Sequence, residues 1–240
     1  MSDIELIKQY VPIDKQEEAL KKLNEGYPVQ YIIGNVDFYG NIINVNEGVL
    51  IPRFETEYLV YKTIKYLGKL NISNPKILEI GTGSGCISIA LKKEIECNII
   101  SLDISDKAID VATSNAKLNN VDIEFIVSDI NTYTTQDKFD LIISNPPYVP
   151  YNSDVDEKTK YEPQNAIFAP DNGIYFYDVI LKRLSNNLKD NYLISFEIGD
   201  SEGDIIKELA NKYLPNSNVL VEKDYNNHER YVFISNKRIN

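Results

Sequence analysis

The sequence holds a single histidine, two cysteines and no apolar run of membrane-spanning length, and each shortage removes a class of function. Cys86 and Cys97 stand too far apart for a metal knuckle, and with His228 the sole imidazole a zinc site would need improbable help from carboxylates. No metal is expected, and the two thiols read as small buried groups. His228 falls in a turn between the last two strand patterns, where an imidazole is solvated or structural rather than a base. The start Met-Ser-Asp-Ile-Glu is acidic where a secretory leader needs a basic start and an apolar run, so the expectation is a cytoplasmic protein with no membrane partner. Positive charge is also short: 25 Lys and Arg against 36 Asp and Glu give a net charge of −11. That balance argues against a protein that grips phosphate backbones, and nucleic-acid binding is not expected.

What is present is enough for one core and a small appendage, 240 residues of which 43% are hydrophobic. Asp14 followed by Glu17 reads as a capping box for a helix that ends at Gly26 and stands nearly alone. From Tyr31 to Leu50 the period changes to short strands or a hairpin punctuated by glycines. Residues 51–57, Ile-Pro-Arg-Phe-Glu-Thr-Glu, open a helix whose apolar face is Leu59, Val60, Ile64 and Leu67. Their charges suit either an acidic first helical turn or a place in the site.

Strand and helix then alternate. Strands are expected at 76–80, 98–103, 123–127, 139–144 and 192–197, helices at 84–93, 105–118, 173–188 and 204–213, and a closing strand pair at 219–221 and 231–235. The pattern specifies an α/β fold, a doubly wound, Rossmann-like, seven-stranded and mostly parallel sheet. Residues 224–230 are too few for a crossover helix, so the last strand should run antiparallel to its neighbour.

Two segments carry chemistry. The first is the apolar strand 139–144, which runs into Asn145-Pro-Pro-Tyr148. Two prolines forbid further ladder pairing, so the exit presents the Asn145 amide, the fixed carbonyl of Pro146, then Pro147 and the Tyr148 ring. A planar group bearing an NH2 would donate one hydrogen to the Asn145 side-chain oxygen and one to the Pro146 carbonyl, with Tyr148 on its face. Glutamine amides and exocyclic adenine amines both fit. The second segment is Leu78-Glu-Ile-Gly-Thr-Gly-Ser-Gly85, a strand entering a glycine turn that opens a helix. Asp103 ends the next strand, 22 positions after Gly81, where it can accept from ribose hydroxyls. A dinucleotide fingerprint wants glycine where Cys86 stands, and Glu79 suits a sulfonium or ammonium better than a pyrophosphate. The loop therefore favours S-adenosylmethionine over NAD. Asp129, ending the third strand, is placed either to meet an adenine amine or to close an Asx turn.

These residues resemble the class I methyltransferases with an Asn-Pro-Pro-Tyr motif, and within them the protein-(glutamine) methyltransferases that modify peptide chain release factors. The blocks that carry the resemblance are Gly26-Tyr-Pro-Val-Gln-Tyr-Ile-Ile-Gly34, Leu50 to Glu57, Leu78 to Gly85, Asn145 to Tyr148, Tyr161-Glu-Pro163, Phe196-Glu-Ile-Gly199 and Asp224 to Arg230. The resemblance implies S-adenosylmethionine contacts at Gly81, Thr82, Gly83, Gly85, Asp103 and Asn145, to which Asp129 is added from its place at the end of the third strand. It implies substrate binding by Asn145, Pro146, Pro147 and Tyr148, with Asn145, Pro146 and Tyr148 at the reaction itself. Three units are expected: a helical segment at 1–28, shorter than the several-helix domain of the family, a hairpin linker at 29–50, and a methyltransferase domain at 51–240. Relatives often have proline where Phe54 stands and a large aromatic where Ile130 stands. Two other functions remain open at this stage: an adenine amine methyltransferase acting on DNA or RNA, hinted at by Lys158-Thr-Lys160-Tyr161, and a module that only senses the cofactor.

Overall fold

The computed structural model describes residues 2–239. Three short helices come first: α1 (Asp3–Tyr10), α2 (Gln16–Asn24) and α3 (Val29–Ile33). They bury Ile7, Ala19 and Val29 against one another, so the helix expected to stand alone has two partners. The capping box lies elsewhere than at Asp14 and Glu17. Ser2 Oγ accepts from the Glu5 N–H while the Glu5 carboxylate accepts from Ser2 N, and α1 starts there. Ile13–Lys15 instead forms a single 3₁₀ turn, and α2 starts at Gln16 without a side-chain cap. Tyr31 to Ile33, expected as extended chain, is helical because Pro28 presets the φ that leads into α3. The hairpin follows, β1 (Asn35–Phe38) antiparallel to β2 (Asn41–Asn44).

The remainder is α4 (Phe54–Lys69), β3 (Lys76–Ile80), α5 (Cys86–Glu94), β4 (Asn98–Asp103), α6 (Asp106–Leu118), β5 (Glu124–Val127), β6 (Phe139–Ser144), the two-residue strands β7 (Val149–Pro150) and β8 (Phe168–Ala169), α7 (Tyr175–Leu184), β9 (Leu188–Glu197), α8 (Gly203–Tyr213), β10 (Asn218–Lys223) and β11 (Glu229–Ser235). The helix expected over 173–188 is therefore shorter. A 3₁₀ turn precedes it, another follows it, and β9 takes Leu188.

Seven strands form one sheet in the order β10-β11-β9-β6-β3-β4-β5. All pairings are parallel except those of β11, which is antiparallel to both β10 and β9. The chain winds outward from β3 through β4 to β5, then returns to the other side of β3 with β6, so strand order reverses between β3 and its neighbours. An open sheet leaves a crevice at the carboxyl ends of its strands at that reversal.

The apolar run of β6 sits in the middle of the sheet and is buried on both faces. Leu141 and Ile143 join one core with α4, α5 and the hairpin, while Ile142 joins the other with α7 and α8. Cys86 and Cys97 are both buried and free. Among the described residues, no helix is long and apolar enough to cross a membrane.

Candidate functional site

At the carboxyl ends of β3, β4 and β6 lies a cavity of about 250 Å³. Ile80, Leu102, Ile130 and Phe176 give it apolar walls, Asp103 and Asp129 face it from the ends of β4 and β5, and Asn145, Pro146 and Pro147 close the side of β6. The glycine loop wraps its floor. Gly81, Gly83 and Gly85 all have positive φ, which alternate glycines allow at no steric cost. A Cβ at Gly81 or Gly83 would meet nothing within 4 Å, so the loop leaves open space there instead of filling it. At Gly85 the constraint is packing: a Cβ would press on Ala112 at 3.1 Å where α5 meets α6. Asp103 braces the loop by accepting from Gly83 N at 2.8 Å and from Ser105 N at 2.9 Å, and burial raises its pKa above the ordinary carboxylate value.

Asn145 is held by residues from two other elements. Its Nδ2 donates to Thr56 Oγ1 at 3.1 Å, and Thr56 Oγ1 donates to Glu197 Oε2 at 2.7 Å. Tyr148 closes the group by donating to Glu197 Oε1 at 3.4 Å. The sheet explains the meeting. Ser144 of β6 pairs in parallel with Phe196 of β9, so the next residue on each strand is Asn145 and Glu197. The first turn of α4 lays Thr56, 3% exposed, across that step. Glu197 is 2% exposed, and burial pushes its carboxyl up to about 7 against the opposing pull of Thr56 and Arg230.

The long connection from Tyr148 to Tyr175 is pinned at three points. Glu162, 4% exposed, accepts from Arg53 at 2.5 Å and from Ile51 N at 3.1 Å, tying the Tyr161-Glu-Pro163 block to the start of α4. Tyr161 donates to the Glu25 carbonyl and packs edge-on against Tyr27. At Gly173, φ is +95 and a Cβ would lie 2.3 Å from the Tyr148 carbonyl oxygen, so only glycine lets the turn pass this close.

The residues singled out from sequence divide accordingly. Gly81, Gly83, Asp103, Asp129, Asn145, Pro146 and Pro147 line one cavity. Thr82, Gly85 and Tyr148 do not. Thr82 is buried with its hydroxyl on Glu79, Gly85 packs on α6, and Tyr148 donates its hydroxyl to Glu197. Glu79 also corrects an expectation. It is fully buried, and one carboxylate oxygen accepts from Thr82, Ser88 and Ser101 while the other has no partner among the described residues, so the acid points into the protein and not at a ligand's positive charge. Burial raises its pKa to about 7. Asp129 closes the Asx turn, accepting from Asn131 N at 2.8 Å, and still faces the cavity. His228 pairs with Asp200 at 2.8 Å on the surface. Thr56, Glu162 and Phe176 were not anticipated. The first two lie inside blocks that sequence had marked, whereas Phe176 carried no signal beyond helical periodicity.

Similarity to known proteins agrees with this geometry. A family model described as a methyltransferase domain matches residues 72–235. The release factor glutamine methyltransferase of Flavobacterium psychrophilum is 42% identical over 227 residues, 91% of this chain and 79% of that protein. The one from Fusobacterium nucleatum is 39% identical over 233 residues, 93% of this chain and 64% of that protein. Among solved structures, a 16S rRNA methyltransferase of T. thermophilus in complex with AdoMet and guanosine superposes with a TM-score of 0.63 at 13% identity, covering 85% of this chain and 50% of that one, a likeness of fold alone. With a methyltransferase domain across most of its length and sequence identity of this extent to its named relatives, the chain belongs to the release factor glutamine methyltransferase family.

Proposed function

We propose that this protein transfers a methyl group from S-adenosylmethionine to the side-chain amide nitrogen of the glutamine in the Gly-Gly-Gln motif of a peptide chain release factor. The observation that carries the reading is the orientation of Asn145. Thr56 Oγ1 gives its own hydrogen to Glu197, so toward Asn145 it can only accept. The Asn145 NH2 is thereby committed to Thr56, and its Oδ1 is the branch left for the cavity. On the next residue is the Pro146 carbonyl, whose direction is restricted because the ring locks φ and the following Pro147 confines ψ. Two acceptors on consecutive residues match the two N–H bonds of a primary amide.

The cavity suits the proposed methyl donor. Its apolar walls at Ile80, Leu102, Ile130 and Phe176 accept a flat ring, Asp103 offers acceptor oxygens for ribose hydroxyls, and the open space over Gly81 and Gly83 admits a close backbone approach. When bound, the donor supplies a methyl already activated by its sulfonium, so no strong base is required of the protein. Asn145 Oδ1 and the Pro146 carbonyl hold the substrate nitrogen at the mouth of the cavity. Both accept more strongly as that nitrogen gains positive charge, so they favour the transition state over the bound substrate.

The deciding experiment mixes the purified protein and S-adenosylmethionine with a release factor carrying Gly-Gly-Gln, and in a parallel tube with an adenine-containing oligonucleotide. Mass spectrometry of peptides and nucleosides then locates the added methyl. A methyl on the glutamine is the expected result, and a methyl on adenine alone would reassign the same acceptor pair to a flipped base.

A further inference from the structure

Glu197 touches neither the cavity nor the two acceptors, yet it is the end of the hydrogen-bonded chain that orients one of them. We propose that Glu197 is a positioning residue: acting through Thr56, its ionised carboxylate fixes which end of the Asn145 amide faces the substrate. The inference rests on the reading of Asn145 as the acceptor for a substrate amide.

A carboxylate can only accept, so with Glu197 ionised the relay runs one way, from Asn145 Nδ2 to Thr56 Oγ1 to Glu197 Oε2. A neutral carboxylic acid can also donate. The relay then has a second, equally satisfied direction, in which Thr56 gives its hydrogen to Asn145 Oδ1 and the amide turns its NH2 toward the cavity. There it would face the donors of the substrate amide, and transfer would stop. Ionisation of Glu197 removes the second direction.

The surroundings of Glu197 keep this balance near neutrality. From α4 come Thr56 and the opposing charge of Glu55, from β11 come the favourable charge of Arg230 and the hydroxyl-bearing Tyr231, and after β6 comes the Tyr148 hydroxyl. From α7, Tyr177 donates to the Glu197 backbone carbonyl, and Cys86 of α5 is buried nearby. Asp224 pairs with Arg230, and Glu202 lies close to Arg230 and Tyr177. Burial is the largest influence and puts the carboxyl at about 7. A substrate amide has no ionisation in that range, so an acid limb there reports on the protein.

The test is the pH profile of kcat for methylation of the release factor, measured for wild type, E197Q, T56S and T56V, with S-adenosylmethionine affinity measured beside it. Wild-type kcat should fall about twofold from about pH 8 to about pH 5.5 on a single ionisation, because the neutral form shares the amide between two directions, and E197Q should be slower and flat over the same range. T56V should lose roughly a hundredfold in kcat with cofactor affinity kept, and T56S should recover to within about threefold, because only the hydroxyl matters. An acid limb that survives in E197Q, or a T56V enzyme with wild-type kcat, overturns the proposal. If the wild type leaves the glutamine unmethylated, the functional reading has failed separately, and the relay is judged from the Asn145 side-chain NH2 resonances. Those should titrate with one ionisation in wild type and stay fixed in E197Q; resonances indifferent to pH in both proteins overturn the relay on their own.

Discussion

Arg53 and Glu162 are 109 residues apart in the chain and meet at 2.5 Å, closing the start of α4 onto the segment that carries the candidate substrate site. Arg53 remains 38% exposed at its side chain while Glu162 is shielded, so the two ends of the pair are not equivalent. Removing the arginine strands a buried carboxylate; removing the acid frees a cation that water can reach.

Arg53→Ala is therefore expected to cost about 2 to 3 kcal/mol in urea denaturation, toward the low side of a broken buried pair because Arg53 is partly solvated. Arg53→Lys should recover only part of that. The same variants should raise KM for the release factor, since Glu162 also holds Ile51 N and thereby the approach to the cavity. Equal stability of Arg53→Ala and wild type would remove the pair from any structural role.

At Asn145, truncation to alanine should lower turnover by roughly a hundredfold to a thousandfold, the cost of losing one preorganised polar partner. Calorimetry should find cofactor binding changed by no more than a few-fold, because Asn145 is one residue in a wall of many. Turnover near that of wild type would sink the mechanism.

Gly173→Ala places a methyl where the Tyr148 carbonyl already stands, 2.3 Å from the ideal Cβ position, at a φ that alanine avoids. The backbone after Pro147 has to shift. A loss of about 2 to 4 kcal/mol is expected, together with lower kcat because Pro146 and Asn145 lie on the same rigid exit. Thermal melts and steady-state rates measured on one preparation check both.

Stability should move opposite to activity as pH changes. Burial raises the carboxyls of Glu79, Glu197 and Glu202 to about 7 in the folded protein, above their ordinary value of 4.5. The folded state thus keeps protons that the unfolded chain has released, and the stability these groups contribute is full below about pH 4.5 and lost as pH rises through 7. Calorimetric melts should show Tm falling by several degrees from about pH 5 to about pH 8, with a shallower slope in Glu197→Gln. A Tm that climbs over that interval would contradict the burial of these carboxylates as neutral groups.

Much of the fold was legible because its signals are local. The strands Lys76–Ile80, Asn98–Asp103 and Phe139–Ser144 are short apolar runs that stop at Gly81, at Asp103 itself and at Asn145-Pro146, and both the alternation with helices and the short 224–230 link bear on neighbours in the chain. Errors fell where a local pattern had two readings. Asp14 and Glu17 mimic a capping box that Ser2 and Glu5 make, and Tyr31 to Ile33 are too few residues for period alone to separate helix from strand.

Neighbouring residues alone are enough to place a glycine turn after β3, an acid at the end of β4, and the exit of the chain from β6 at Asn145 with a restricted carbonyl behind it, since each follows from adjacent positions in the chain. Tertiary structure alone decided what those groups face. It turned Glu79 inward to three hydroxyls, brought the Tyr148 hydroxyl to Glu197, and set Thr56, Asn145 and Glu197 in one hydrogen-bonded row. The reason is register. A side chain's partner at a strand end is chosen by which strand lies alongside and which helix crosses above, and here β9 and α4 bring residues 89 and 141 positions apart within hydrogen-bond distance.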